Sequence, residues 1–309
     1  MEPGYIGEII QYLKSSFIVA DDAEITLETN PGTVDSNKLK SFLKEGVNRI
    51  SIGIQSFDDN DLKFLTRIHD KETAINTVIN AHDAGFKNIS LDLIFNLPGQ
   101  TKEKWMKNLQ QAVLLPVNNI SAYSLILERG TILNKLVLDG KVTIQDDDYD
   151  AELYQLTIDF LESEGFLQYE VSNFAKPGYE SRHNNAYWRY NDYLSFGPSA
   201  HSFINGKRWW NYSSLKRYIS EVSSSGNAEA GHEIINDAQK FDEYVMLALR
   251  SRGIEISEFV SLFGNTWLAV NKNYFSELNR KGLIKTDDKY ISLTKSGYAV
   301  CDEILSKIL

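Results

Sequence analysis

Apolar residues in the first third of the chain recur at two alternating periods. Ile6, Ile9, Ile10, Leu13 and Phe17 stand at helical spacing, and Glu24-Ile25-Thr26-Leu27-Glu28-Thr29 then alternates residue by residue, as a half-buried strand does. Leu39, Phe42 and Leu43 predict a short helix ended by Gly46, and Ile50-Ser51-Ile52-Gly53-Ile54-Gln55 alternates again. Asp58 can cap a helix through Leu62 and Leu65; a second helix carries Ala74, Ile75, Val78 and Ile79 and stops at Gly85, before a strand over 89–95. Thr101 opens the last such unit, with Trp105, Leu109 and Val113 on its helix and 120–127 as its strand. The junctions Gly46-Val47-Asn48-Arg49-Ile50-Ser51-Ile52 and Gly85-Phe86-Lys87-Asn88-Ile89-Ser90-Leu91 match at a displacement of 39 residues, from 46 to 85. A repeated helix-to-strand unit implies parallel strands joined by helical crossovers.

Alternation decides which side chains share a face. Ile50, Ile52 and Ile54 point one way, Ser51, Gly53 and Gln55 the other; Leu91 and Leu93 oppose Ser90 and Asp92. The apolar face must meet the helices. The polar face then carries Glu28, Gln55 and Asp92 toward the C-terminal strand ends, where parallel α/β folds place ligands. From Asp146 the pattern changes to a long helix closed by Gly165, a strand over 169–172 and, beyond Pro177, a strongly aromatic stretch from Tyr179 to Tyr212. Ser223-Ser224-Ser225-Gly226 reads as a linker. The rest predicts helices over 238–250, 256–263 and 266–280, a hairpin through Leu283-Ile284 and Tyr290-Ile291-Ser292-Leu293, and a final helix, in the order of a winged helix. The expected division is 1–130, 131–226 and 227–309.

Composition narrows the function classes. In 309 residues, 42% apolar and 24% charged content describes a folding chain. A net charge of −10 opposes nonspecific binding to nucleic acid, and nine basic residues balance nine acidic ones from Phe241 onward, so the winged-helix-like module is expected to pack rather than bind DNA. No apolar stretch approaches a membrane span and Met1-Glu2-Pro3-Gly4 does not open a signal peptide, so a cytoplasmic protein with at most peripheral membrane contact is expected. The single cysteine, Cys301, reads as a buried apolar side chain; it excludes an internal disulfide, thiolate-held zinc, and a cluster held by three cysteines of these residues. Asp146-Asp147-Asp148 reads as a solvated helix cap, and His69, His82 and His232 as exposed residues without a role.

Four strings, Glu24-Ile25-Thr26-Leu27-Glu28-Thr29-Asn30-Pro31-Gly32-Thr33, Arg49 to Phe57, Leu65-Thr66-Arg67-Ile68-His69 and Leu91 to Gln100, resemble the radical S-adenosylmethionine (SAM) enzymes of the oxygen-independent coproporphyrinogen III oxidase group. Arg182-His183-Asn184-Asn185-Ala186-Tyr187-Trp188 and Gly197-Pro198-Ser199-Ala200-His201-Ser202-Phe203 resemble the HemW-type heme chaperone branch, marked by His-Asn-x-x-Tyr-Trp. The resemblance covers nearly the whole chain. It implies an α/β fold, an incomplete (β/α)6 radical-SAM barrel with an α/β extension and a small winged-helix-like C-terminal module. It implies SAM contacts from Glu28, Gln55, Arg67, Asp92 and, by a looser match, Ser124. It further implies a heme site drawn from His183, Asn184, Tyr187, Trp188 and His201, with His183 as the iron ligand. The family's Cys-x3-Cys-x2-Cys loop and Gly-Gly-Gly-Thr-Pro turn are not among these residues, so two barrel strands are expected to be lacking and no 4Fe-4S cluster is expected on this chain. Heme or porphyrin, heme-accepting proteins and a second copy meeting the exposed barrel edge are the implied partners. The alternatives are an anaerobic coproporphyrinogen oxidase and a cluster-free interaction module.

Overall fold

Short oxygen-bearing side chains start all but the first of the helices in the N-terminal half. The first helix, α1 (Pro3–Ser16), begins with Pro3 in its first turn. Each later one has a cap that accepts a backbone N–H of the opening turn: Asp35 for α2 (Ser36–Lys44), Asp58 for α3 (Asp59–Phe64), Asp70 for α4 (Lys71–Ala84), Thr101 for α5 (Lys102–Val113), Thr131 for α6 (Ile132–Leu138) and Asp146 for α7 (Asp147–Ser163). Between them run β1 (Thr26–Thr29), β2 (Arg49–Gln55), β3 (Asn88–Phe95) and β4 (Asn119–Ser124), parallel and in sequence order. The matched junctions share a device: Gly46 and Gly85 turn at φ 106° and 113°, conformations that only glycine adopts without strain.

This computed structural model describes residues 1–309, which separate into two compact units, Met1–Glu180 and Ser181–Leu309. In the first, the sheet is mixed and open. Its order is β1-β2-β3-β4-β6-β5, where β5 (Leu167–Glu170) and β6 (Asn173–Ala175) join antiparallel to β4 and to each other. The stretch read as the start of a separate extension therefore completes this sheet, and the division falls at 180/181. Ile50, Ile52 and Ile54 are fully buried with Leu39, Phe42, Ala74 and Val78 on the helical side. Trp105 is buried in the same core, its Nε1 donating to the Thr157 hydroxyl at 2.7 Å. The outer edge of β1 pairs with no other strand, and α1 packs on α2, leaving Tyr5, Ile9 and Tyr12 exposed.

In the second unit, α8 (Arg182–Trp188) precedes an antiparallel sheet of β7 (His201–Ile204), β8 (Lys207–Asn211) and β9 (Glu229–Ile234). The expected linker at 223–226 is instead the last turn of α9 (Leu215–Ser225), closed by Gly226 at φ 73°; Leu215, Ile219 and Val222 give that segment the helical period that its serines obscure. Beyond it lie α10 (Asp237–Leu249), β10 (Ile254–Glu255), α11 (Ile256–Phe263), α12 (Thr266–Arg280), β11 (Ile284–Thr286), β12 (Tyr290–Leu293), α13 (Lys295–Ala299) and α14 (Cys301–Ile308), with the strands in order β10-β12-β11. Cys301 is buried beside Leu249, Ile304 and Leu305 in that core.

Because Ile52 lies at the centre of the first unit's sheet–helix contact, Ile52→Ala is expected to destabilise the fold by about 2–5 kcal/mol. Urea unfolding should show a lower midpoint at unchanged slope; a shift of a few tenths of a kcal/mol would mean that the face is not close-packed.

Candidate functional sites

The face of the six-stranded sheet away from the helices is polar in every layer. Arg49, Ser51 and Ser90 are buried there although each is hydrophilic. Ser51 donates to Asp92 at 3.4 Å, Ser90 to the side-chain amide oxygen of Asn119 at 3.1 Å, and Ser121 to the side-chain amide oxygen of Asn173 at 2.7 Å. Burial raises the Asp92 carboxyl above its ordinary range; the Ser121 hydroxyl opposes this, the Glu28 charge adds to it, and Arg49 and Ser51 oppose it. The Arg49 guanidinium reaches Thr26 at 3.4 Å, while its Nε is buried without a partner. Glu170, 1% exposed, accepts from the Ser172 backbone N–H and from the Asn173 amide.

At the C-terminal ends of β1 and β2 the side chains converge. A register shift between Ile52 and Gln55 puts Gln55 at φ 72°, a left-handed conformation that costs a non-glycine residue about 1 kcal/mol or more. The bulge turns its amide over Gly53: a Cβ built on that glycine would lie 2.9 Å from the Gln55 Nε2 and 3.1 Å from the Asn30 Oδ1. Arg67 donates to the same Asn30 oxygen at 3.5 Å. Gln55, Asn30 and Arg67 thus form one group at the strand ends, Asp92 lies on the same sheet face, and exposed Glu28 stands on β1 at the rim. Ser124 does not join them; it follows Ile120 and Ala122 in parity and donates to Asp150 of α7.

One sequence reading changes here. His69 is buried, 7% exposed, with its Nε2 at 3.0 Å from the Ile54 carbonyl; a ring that satisfies a strand-end carbonyl can be interior, which its polar neighbours conceal. Ser56 and Gln100, from two of the family-like strings, hold the loops together. Ser56 donates to Asp61 at 3.1 Å, Gln100 donates to the same carboxylate at 3.3 Å, and Lys104 pairs with it at 3.1 Å.

The second unit gathers its chemistry on one side of β7–β8–β9. Alternation places His201, Phe203, Arg208, Trp210, Gly231 and Glu233 together. A line of rings reaches α8 from there: Phe203 to Tyr193 at 6.1 Å, Tyr193 to Tyr187 at 4.5 Å, and Tyr187 to His183 at 4.7 Å in edge contact. His183 and His201 are exposed, whereas Asn184, Tyr187 and Trp188 are half-buried; the Asn184 backbone N–H goes to the Ser181 hydroxyl cap. A cavity of about 320 Å³ lies among Tyr187, Tyr190, Tyr193, Phe203, Arg208 and Glu243. Arg208 pairs with Glu243 at 2.6 Å and with Glu233 at 2.8 Å, tying α10 to this face. Tyr193 and Trp210 were visible only as aromatic content and Phe203 only as the end of a family-like string, because their placement depends on an antiparallel register.

Comparison with known proteins decides the family. Residues 2–112 match the radical SAM superfamily. The heme chaperone HemW of Bacillus subtilis is 33% identical over 291 residues, covering 94% of this chain and 77% of its own length. The chain belongs to the HemW family. A mitochondrial radical S-adenosyl methionine domain-containing protein 1 from Danio rerio is 34% identical, with 100% of this chain and 72% of that protein aligned. Coproporphyrinogen III oxidase (HemN) of Escherichia coli, a radical SAM enzyme, superposes with a TM-score of 0.80 at 23% identity over 100% of this chain and 74% of its own, which shows the shared fold.

Radical SAM membership implies SAM and a 4Fe-4S cluster, and the residues fit them unequally. Carboxylate, amide and guanidinium groups converge over Gly53 and along the polar face, a donor and acceptor set suited to a ribose, an adenine edge and an amino-acid carboxylate. The cluster, which supplies the electron that cleaves SAM in this superfamily, needs thiolates, and the one thiol here is buried in the second unit's core with its pKa raised by that burial. These residues alone do not make the cluster's ligand set.

Glu170 gives this polar face a pH signature. Burial pushes its carboxyl from 4.5 up to about 7, against the pull of the Ser172 and Asn173 hydrogen bonds. Between those values the folded state holds more protons than the unfolded chain, so stability falls as pH rises toward and through the folded value. In Glu170→Gln the decline between about pH 5 and about pH 8 should shrink by roughly 3 kcal/mol at most, since each unit is worth about 1.4 kcal/mol. Urea unfolding at a series of pH values measures it, and parallel wild-type and variant curves would place the titration elsewhere.

Proposed function

We propose that this protein binds heme on the aromatic face of its second unit and passes it on, as the name of its HemW relatives describes for those proteins. One observation carries the reading: His183, Tyr187, Tyr193 and Phe203 form a continuous line of rings ending on the strand that bears His201. A neutral imidazole is a good iron ligand, and aromatic faces bury a porphyrin's apolar surface. His183 is the iron ligand by family motif. Tyr187 packs edge-on against that imidazole, and Asn184 and Trp188 complete the motif on α8.

The exposure of both imidazoles suits transfer. A heme held at the surface stays open to an accepting protein, whereas a resident prosthetic group is enclosed. SAM is assigned to the polar face of the first unit, with Gln55, Arg67 and Asn30 at the strand ends and Asp92 and Glu28 toward the ribose. The protein is taken to work in the cytoplasm; no helix is long and apolar enough to cross a membrane. Decarboxylation of coproporphyrinogen is the weaker reading, because the His-Asn-x-x-Tyr-Trp string of α8 resembles the chaperone branch and the HemW relatives align at 33% and 30% identity.

Titration with ferric hemin tests the proposal. The chain should give a Soret band distinct from that of free hemin, and His183→Ala should shift it and weaken binding by about 1–3 kcal/mol, the worth of one strong polar contact. Cys301→Ser should change neither band nor affinity. A wild-type spectrum indistinguishable from free hemin would reject heme binding.

A further inference from the structure

Charge is unevenly placed along the aromatic face of β7–β8–β9. At one end Arg208 is held by two carboxylates: its Nη1 lies 2.8 Å from Glu233 and 3.1 Å from Glu243, and its Nη2 lies 2.6 Å from Glu243. One cation against two anions leaves this end net negative. The cavity beside it is walled by Tyr190, Phe203, Met246 and Leu247. A further carboxylate entering there would meet two of its own charge and an apolar wall, and a buried charge without a partner is costly.

The other end is the reverse. Tyr212 follows β8, and its carbonyl accepts from the Ser199 N–H at 3.2 Å in the ladder that pairs His201 with Trp210, so alternation puts its ring on the side of Arg208 and Trp210. The Arg217 guanidinium of α9 stands 3.8 Å from the centre of the Tyr212 ring. Glu221, its ion-pair partner, is 3.8 Å from Nε, beyond hydrogen-bond length, and the Arg217 side chain is 59% exposed. A guanidinium stacked on a ring keeps its N–H edge open to a carboxylate, which it grips bidentately. From Arg208 to Tyr212 the strand advances about 13 Å, comparable with the width of a porphyrin.

We infer that this face selects an iron porphyrin whose carboxylates lie along one edge, with Arg217 receiving those carboxylates and the apolar opposite edge directed to the cavity beside Arg208. The inference rests on the heme-binding reading above and adds to it the class of macrocycle and its orientation. Arg217 does not touch the iron; it acts on specificity, through charge-assisted hydrogen bonds to the ligand's rim.

Three iron macrocycles separate these terms in titrations of the full chain: ferric hemin, with its propionates on one edge; hemin dimethyl ester, with no free carboxylate; and iron coproporphyrin III, with propionates in place of the vinyl groups. Arg217→Ala should weaken hemin binding about tenfold, equivalent to about 1.4 kcal/mol, and leave the ester unchanged, with Arg217→Lys recovering part of the loss. Iron coproporphyrin III should bind the wild type about tenfold more weakly than hemin, and Glu233→Gln, which removes one anion at the Arg208 end, should narrow that gap. Equal loss of hemin and ester in Arg217→Ala, or loss of neither, overturns the role of Arg217. Iron coproporphyrin III bound as tightly as hemin, or a gap unchanged in Glu233→Gln, overturns the charge selection. In either case a Soret band that shifts in His183→Ala still upholds heme binding itself, whereas a wild-type chain that binds none of the three overturns both proposals.

Discussion

A two-residue alternation in parallel strands is the constraint on which the first unit depends. One face of each strand is aliphatic and closes onto the helices, so whatever occupies the other face is fixed by parity. In this chain that face is Arg49, Ser51, Ser90, Asp92, Asn119, Ser121 and Asn173, joined by hydroxyl and amide hydrogen bonds and containing a cation whose Nε lacks a partner. Polar groups kept from water without full satisfaction cost about 1–3 kcal/mol each. A sheet of this kind is stable because its other face buries Ile50, Ile52, Leu91 and Leu93 completely, and it is suited to a polar ligand for the same reason.

The second unit solves a different problem. Its small antiparallel sheet presents rings and two imidazoles, and it is pinned to α10 by Arg208 between Glu243 and Glu233 rather than by a large core. Ion pairing at this position leaves the aromatic face and the cavity beside Tyr190 and Phe203 open instead of filled. The two faces differ in chemistry: hydroxyl, amide and charged groups line the parallel sheet, rings and imidazoles the antiparallel one.

Much of the first unit was legible because its signals are local. Period, caps and glycine stops gave β1 to β4, the helices between them, and the shared face of Glu28, Gln55 and Asp92. What escaped was non-local. The antiparallel addition of β5 and β6, the burial of His69 against the Ile54 carbonyl, and the tie of Ser56 and Gln100 to Asp61 all depend on segments brought together by folding. Ser124 does not stand with Glu28, Gln55 and Asp92 for a reason the sequence did contain: it shares parity with Ile120 and Ala122. In the second unit, local composition marked an aromatic region, but only the register of β7, β8 and β9 puts Trp210 between His201 and Gly231.

The central claim is that heme belongs to the aromatic face of the second unit and not to the polar face of the first. The chain's five tryptophans report on this directly, because Trp210 lies on the proposed surface, Trp105 is enclosed in the first unit's core and Trp267 donates to the Ile308 carbonyl. In an indole N–H spectrum recorded during titration with hemin, the Trp210 signal should broaden first, with Trp105 and Trp267 retained. Loss of the Trp105 signal while Trp210 stays unperturbed would contradict the account.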